Sequence, residues 1–266
     1  MSNWAVILLG IIEGVTEFLP VSSTGHLLLA EQWLGLPSQP SELFNVVIQS
    51  GAVLAVLMAF AGQLKRMALD WRSPTVRSYV GKLAVAFVFT AVGGLILKKI
   101  FPGLPDTATP VALATLIGGV VILVVERFLA SRQCADAVSW PVAIAIGLSQ
   151  LLAICFPGTS RSGATIIVGL VLGLKRPAAT EFSFLLGVPT LLAASGFKIL
   201  SSLRHPEEVH EPWSQLALAT LVAAISAFVV VRWLLRYVQN HTFVLFGWYR
   251  IILGALILAY ALFLSK

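Results

Sequence analysis

Glu13 and Glu17 stand four residues apart in EGVTEFLPVSSTGH (residues 13–26), directly after the apolar run WAVILLGII. On a helix this spacing puts both carboxylates on one face. In apolar surroundings the two repel, and each is costly to desolvate. A divalent cation or a shared proton would offset that cost; otherwise the pair dips into a water-filled vestibule. Ser22, Ser23, Thr24 and His26 follow Pro20 closely. Ser23 and His26, three residues apart, share a face of any helix that begins there. A histidine beside a serine acts as its base, or attacks as a nucleophile itself. Helix capping explains the hydroxyls but does not require His26. Gly25 lets another backbone or a ligand approach closely.

A second polar stretch, PGTSRSGAT (residues 157–165), supplies Ser160, Arg161, Ser162 and Thr165. Arg161 is the sole charge between Trp140 and Leu174. An arginine within a membrane segment is a functional candidate by default, and its planar fork suits phosphate oxygens. A hydroxyl- and glycine-rich break that opens a helix also aims free N–H groups at an anion. The structural alternative is an ion pair of Arg161 with Glu13 or Glu17, and the two roles are compatible.

These residues need elements to hold them, and composition says which kind. The chain has 266 residues, 58% hydrophobic and 11% charged, with a mean hydropathy of +0.92. Soluble domains carry about a quarter charged residues, so the solvent here is lipid. Apolar runs at 43–61, 83–97, 108–125, 182–197, 214–231 and 243–264 approach the length that crosses a bilayer. No basic segment precedes the first apolar stretch and no small-residue cleavage site follows it, so no removable signal peptide is expected. The seven tryptophans fall mostly near the ends of these runs, where amphipathic rings favour the interface.

The net charge of +6 is scattered among connections: Lys65, Arg66, Arg72, Arg77 and Lys82; Arg127 and Arg132; Lys175 and Arg176; Arg232 and Arg236. These are topology signals that put alternate connections in the cytoplasm, not a nucleic-acid surface. The 201–212 connection carries Glu207, Glu208 and Glu211 instead and falls outside. Cys134 and Cys155 suggest no structural disulfide.

Two apolar stretches are not ordinary spans. Residues 4–35 are interrupted at Pro20, and residues 138–174 at Pro157. Proline ends a helix by removing a donor and clashing with the turn before it. Irregular backbone at membrane depth survives only against protein or a water-filled cavity. Both stretches therefore read as re-entrant helix–loop–helix hairpins. A shift of 137 superposes Pro20 on Pro157, Ser23 on Ser160, Gly10 on Gly147 and Glu13 on Gln150; a shift of 138 superposes Phe44 on Phe182. The expected fold is an all-α polytopic membrane protein with six transmembrane helices and two re-entrant hairpins. Its halves, about 1–136 and 137–266, form an inverted repeat, with one composite site between the breaks.

Other polar residues weigh less. Arg250 reads as snorkelling or ion-paired, Asn45 and Gln49 as interhelical hydrogen-bonders, and Glu181 as a carboxylate at a helix start. His205, His210 and His241 receive no role. Two function classes fit the inventory. A phosphoryl-transfer enzyme on a lipid-linked phosphate would use the arginine and a metal on phosphate oxygens. A secondary transporter coupled to protons or sodium would use the glutamates as a relay. The Ser-x-x-His spacing beside an arginine loop favours the enzyme, since a porter needs no nucleophile.

EGVTEFLPVSSTGH and PGTSRSGAT resemble the two signature motifs of the bacterial undecaprenyl-diphosphate phosphatases, the bacitracin-resistance family. The resemblance extends to FNVVIQSGAVLAV, EFSFLLGVP and YRIILGALIL, essentially the whole chain. It implies a phosphatase of the bacterial inner membrane that converts undecaprenyl diphosphate to the monophosphate carrier of peptidoglycan synthesis and confers bacitracin resistance. It further implies a site open to the periplasm and a divalent cation, Mg²⁺ or Ca²⁺. By motif position Glu13 and Glu17 match the family's paired acidic residues, Ser23 and His26 its serine and histidine, and Ser160, Arg161 and Thr165 its second loop. Glu13 and Glu17 are the expected metal ligands. Ser22, Thr24, Ser160, Ser162 and Thr165 are expected to bind substrate. Ser23 is expected as nucleophile with His26 as its base, and His26 as nucleophile is the runner-up. Partners are a polyprenyl diphosphate lipid and the bilayer, with no nucleic acid; a homodimer is left open.

Overall fold

The computed structural model describes residues 1–35, 41–101, 107–129, 134–204 and 211–263. Arg132, His205, Glu207, Glu208 and His210 lie outside these residues. The described residues form twelve helices and no strand: α1 Asn3–Thr16, α2 Ser23–Trp33, α3 Glu42–Ala59, α4 Ala61–Leu69, α5 Pro74–Ile100, α6 Ala108–Leu129, α7 Trp140–Ser149, α8 Leu151–Cys155, α9 Arg161–Val171, α10 Arg176–Arg204, α11 Trp213–Asn240 and α12 Val244–Phe263. Five of them, α5, α6, α10, α11 and α12, are long and apolar enough to cross a membrane, and α3 with α4 makes a sixth bent by 63°. The chain is a polytopic membrane protein. Its outward side chains are large and apolar, among them Leu95, Ile100, Phe197, Leu221 and Val229, as lipid contact requires.

The bend after α3 has a chemical reason. Phe60 leaves the helical region, and α4 (AGQLKRMAL) has no buried residue. Lys65 and Arg66 thus lie on this helix rather than in a loop, while Arg77 and Lys82 belong to the start of α5. All seven tryptophans are exposed, Trp33 and Trp4 most of all.

The two proline-marked breaks are where the sequence puts them. α1 stops at Thr16, ahead of Pro20, and α2 starts at Ser23; α8 stops at Cys155 and α9 starts at Arg161. Each break is held by helices from the distant part of the chain. α1 packs on α11, and α7 packs on α5. These two contacts are close enough to need glycine. A Cβ on Gly10 would lie 2.7 Å from the Ala219 carbonyl oxygen, and one on Gly147 would lie 2.4 Å from that of Ala86. The centre is closed by α3 against α10 and α6 against α12.

Polar ties fix the connections. Glu126, buried on α6, pairs with Arg176 and accepts from the Phe243 N–H at 2.7 Å. Glu211 accepts from both the backbone and the hydroxyl of Ser41, which caps α3. Glu181 does not sit at a helix start, because α10 begins at Arg176; it accepts from Gln63 Nε2 and the Tyr79 hydroxyl instead. The interhelical bond expected of Asn45 is also missing on its acceptor side: Oδ1 is buried without a partner.

Candidate active site

Each break is terminated by a serine in an unusual backbone conformation. Ser22 (φ 73°) and Ser160 (φ 67°) are the two non-glycine residues with positive φ among those described. Such a φ is strained for an L-residue. Here each hydroxyl caps the helix that follows: Ser22 Oγ accepts from Gly25 N at 3.3 Å, Ser160 Oγ from Gly163 N at 3.1 Å. This matching geometry equates Ser22 with Ser160, one residue earlier in the first break than the sequence shift of 137 suggests. Ser23 thereby corresponds to Arg161, so the same backbone position supplies a hydroxyl on one side and a guanidinium on the other.

Those two side chains meet on one carboxylate. Glu17, buried at the C-cap of α1, accepts from Ser23 Oγ on Oε2 at 2.8 Å and from Arg161 Nη2 on Oε1 at 3.2 Å. The ion pair is nearly dry, with side-chain exposures of 10% and 7%. The Arg161 guanidinium is clamped, its Cζ 5.3 Å from the centre of the Phe18 ring. On α10 a Cβ at Gly187 would fall 2.4 Å from Nη1, so only glycine leaves room. Nε and Nη1 of Arg161 are buried and have no protein partner. A fixed cation with two idle donors suits an incoming oxyanion. Glu13 is wholly buried, its carboxyl within hydrogen-bonding reach of that of Glu17 and with Arg161 as a further charged neighbour, and no other N–H or O–H among the described residues donates to it.

His26 is held elsewhere. Nδ1 lies 2.7 Å from the Ser22 carbonyl oxygen and Nε2 lies 2.6 Å from the Tyr249 hydroxyl, with the rings stacked at 7°. A carbonyl only accepts, so neutral His26 carries its proton on Nδ1 and the tyrosine donates to Nε2. The expected Ser23–His26 bond is therefore not made. Ser23 is committed to Glu17, which the i, i+3 spacing gave no means of seeing.

The remaining expected residues divide into two sets. Ser23, Thr24 and His26 are half-buried at the start of α2. Ser162 and Thr165 are fully buried. Ser162 Oγ donates to the Leu19 carbonyl at 2.9 Å and joins the two breaks, with Ser160 Oγ 3.1 Å away. Thr165 bonds the Arg161 carbonyl and Ser183 Oγ on α10. With Ser22 and Ser160 spent on caps, most of these hydroxyls build the site and do not line its surface.

Arg250 was underrated by its sequence context. It neither snorkels nor pairs with a carboxylate. Buried at 1% exposure, it donates to four backbone carbonyls: Thr115 (3.1 Å), Ala114 (3.2 Å), Pro20 (3.3 Å) and Gly158 (3.0 Å). Pro20 and Gly158 belong to the two breaks, so one side chain from α12 ties both. The intramembrane-arginine argument that singled out Arg161 applies equally to Arg250, and was the available signal. Tyr249 gave none, being one aromatic among many on an apolar helix.

Known proteins match this chain over almost its whole length. The family model described as Bacitracin resistance protein BacA covers residues 6–256. The chain belongs to this family. The undecaprenyl-diphosphatase of Rhizobium etli (strain CIAT 652) is 50% identical over 96% of this chain and 95% of that protein. The undecaprenyl-diphosphatase of Xanthomonas euvesicatoria pv. vesicatoria (strain 85-10) is 50% identical over the same shares. Both breaks of the BacA-family chain fall inside the matched region.

Proposed function

We propose that this chain removes the terminal phosphate of undecaprenyl diphosphate, releasing undecaprenyl phosphate and orthophosphate, and so regenerates a lipid carrier for peptidoglycan synthesis and confers bacitracin resistance. The observation that carries this reading is the Glu17 carboxylate shared by Ser23 and Arg161, with two Arg161 donors idle. The terminal phosphate takes those donors and lies against Ser23. Ser23 Oγ attacks phosphorus in line and passes its proton to Glu17 as the bond to the bridging oxygen breaks. The leaving group departs as undecaprenyl phosphate. Water then attacks the phosphoserine, Glu17 now holding the proton that returns to Ser23. Arg161 neutralises charge growing on the transferred oxygens. His26 is the weaker nucleophile here, because the lone pair of Nε2 already accepts from Tyr249.

Glu13 fits a divalent cation, Mg²⁺ or Ca²⁺, because its buried carboxyl and that of Glu17 lie together with Arg161 as the cation beside them. No group of three or more His, Cys, Asp or Glu gathers among the described residues. Glu13 and Glu17 would hold such an ion, and it would supply further neutralisation of the diphosphate. We read the two halves as an inverted repeat in the inner membrane, basic connections in the cytoplasm and the site open to the outside.

Phosphate release from a polyprenyl diphosphate by purified protein in detergent tests the enzyme reading, since no gradient exists there to drive transport. Release is expected to stop in excess EDTA and return with Mg²⁺ or Ca²⁺. Glu13→Gln is expected to need more cation for half-maximal rate. Full activity in EDTA would remove the metal role, and no release under any condition would remove the phosphatase.

A further inference from the structure

Arg250 of α12 is buried, lies outside both breaks and directs its guanidinium at backbone carbonyls. Two of these occupy matching places. Nη1 donates to the Pro20 carbonyl at 3.3 Å and Nη2 to the Gly158 carbonyl at 3.0 Å. Pro20 stands two residues ahead of Ser22, and Gly158 two ahead of Ser160, the two serines with positive φ. One residue beyond each serine come Ser23 and Arg161, which meet on Glu17. A guanidinium holds its two terminal nitrogens in a rigid planar fork, so one side chain grips the same step of both breaks. Nε and a second bond from Nη2 fasten that fork to α6 through the Thr115 and Ala114 carbonyls.

We infer that Arg250 is a positioning residue for phosphoryl transfer: it sets the two breaks against each other so that Ser23 and Arg161 reach the same carboxylate. The inference rests on the phosphatase reading above. A residue in the left-handed region persists only where its surroundings over-determine it. The caps of Ser22 and Ser160 are local, each within its own break, and do not fix one break relative to the other. Ser162 crosses between them at the Glu17 and Leu19 carbonyls. The Arg250 fork crosses one residue further on, at Pro20, and ties the pair to α6, which belongs to neither break. A reacting group misplaced by about 1 Å loses about 10²-fold in rate, so this alignment has a kinetic effect separate from stability.

Two variants disturb the fork in different ways. Arg250→Lys keeps the charge and loses the fork. Gly118→Ala keeps Arg250 and displaces it, since a Cβ there would lie 2.2 Å from Nη2, the far end of a flexible side chain. Gly196→Ala on α10, with nothing within 4 Å of the added Cβ, is the control. Phosphate release from undecaprenyl diphosphate is measured in detergent with Mg²⁺ present, as kcat and KM per folded protein, beside the melting of each variant. We expect kcat to fall about 10²-fold in Arg250→Lys and about ten-fold in Gly118→Ala. KM should stay close to wild type, so that kcat and kcat/KM fall together, and the control should change neither. Should Arg250→Lys fail to fold, Gly118→Ala decides alone. A tie needed only for folding would lower the melting temperature and leave kcat per folded protein at the wild-type value, and that result in Gly118→Ala overturns the inference while the phosphatase stands. A raised KM with unchanged kcat overturns it too, because Arg250 would then bind substrate without aligning the reacting groups. Failure of the wild type to release phosphate would overturn both readings.

Discussion

Replacing Arg161 by lysine separates its charge from its shape. In the resting site Nη2 is bonded to Glu17 while Nε and Nη1 are idle. Lysine keeps the charge and three N–H donors, but on one nitrogen it cannot span Glu17 and the phosphate with the fixed planar fork of the guanidinium. Losing one preorganised contact to a developing oxyanion costs about 10²–10³ in rate, or about 3–4 kcal/mol. Arg161→Lys should therefore lower kcat by that factor, with a smaller change in KM. Arg161→Ala goes further. It strands the nearly dry Glu17 carboxylate, and breaking a buried pair from one side costs about 3–5 kcal/mol. At about 2–4 °C per kcal/mol for a chain of this size, the melting point should drop by roughly 10 °C. Adding Glu17→Gln to Arg161→Ala removes the stranded charge, so the double variant should melt above Arg161→Ala yet remain inactive. Phosphate release and thermal melting in detergent read both quantities. Wild-type kcat in folded Arg161→Lys, or a double variant less stable than Arg161→Ala, would refute the reasoning.

Gly187→Ala tests the clamp without touching the charge: its Cβ would lie 2.4 Å from Nη1, so the guanidinium must move, and kcat should fall about ten-fold or more for a displacement near 1 Å while the fold is kept. Tyr249→Phe removes the hydroxyl at His26 Nε2; if His26 takes part in turnover, kcat should fall several-fold with KM nearly constant, and the ¹⁵N shifts of His26 should show loss of a single tautomer. An unchanged ¹⁵N spectrum would mean the tyrosine does not orient the ring. Single cysteines at Ser73 and Ser201 should label from opposite sides of the membrane, and labelling from one side would overturn the assigned topology.

The breaks were legible because proline and hydroxyl clusters are local events in an otherwise apolar chain. Pro20, Pro157 and the residues after them appear where expected, as do the spans. What the spacing could not give is which polar groups meet across the break. Ser23 and His26 lie on neighbouring positions of α2, yet Ser23 turns back to Glu17 and His26 to Tyr249, 223 residues away. The hydroxyl run looked like a ligand-binding surface, whereas Ser22, Ser160, Ser162 and Thr165 satisfy backbone groups that a broken helix exposes. Glu181 was misread because Arg176 starts α10 earlier than Thr180. Arg250 was misread because nothing adjacent in sequence reveals four carbonyls gathered from α6 and both breaks.

Those carbonyls also set the charge of the site. Arg250 is held by dipoles alone, so its full positive charge persists, and Arg161 adds a second. Glu13 and Glu17 oppose them. The resting site is thus close to neutral if both carboxylates are ionised, and a diphosphate entering it would carry several uncompensated negative charges into a low-dielectric interior. Arg161 is already half spent on Glu17, and Arg250 is walled in by its carbonyls. The two idle donors of Arg161 meet the phosphate oxygens but add no charge beyond the one already counted. A divalent cation held beside Glu13 and Glu17 would restore the balance.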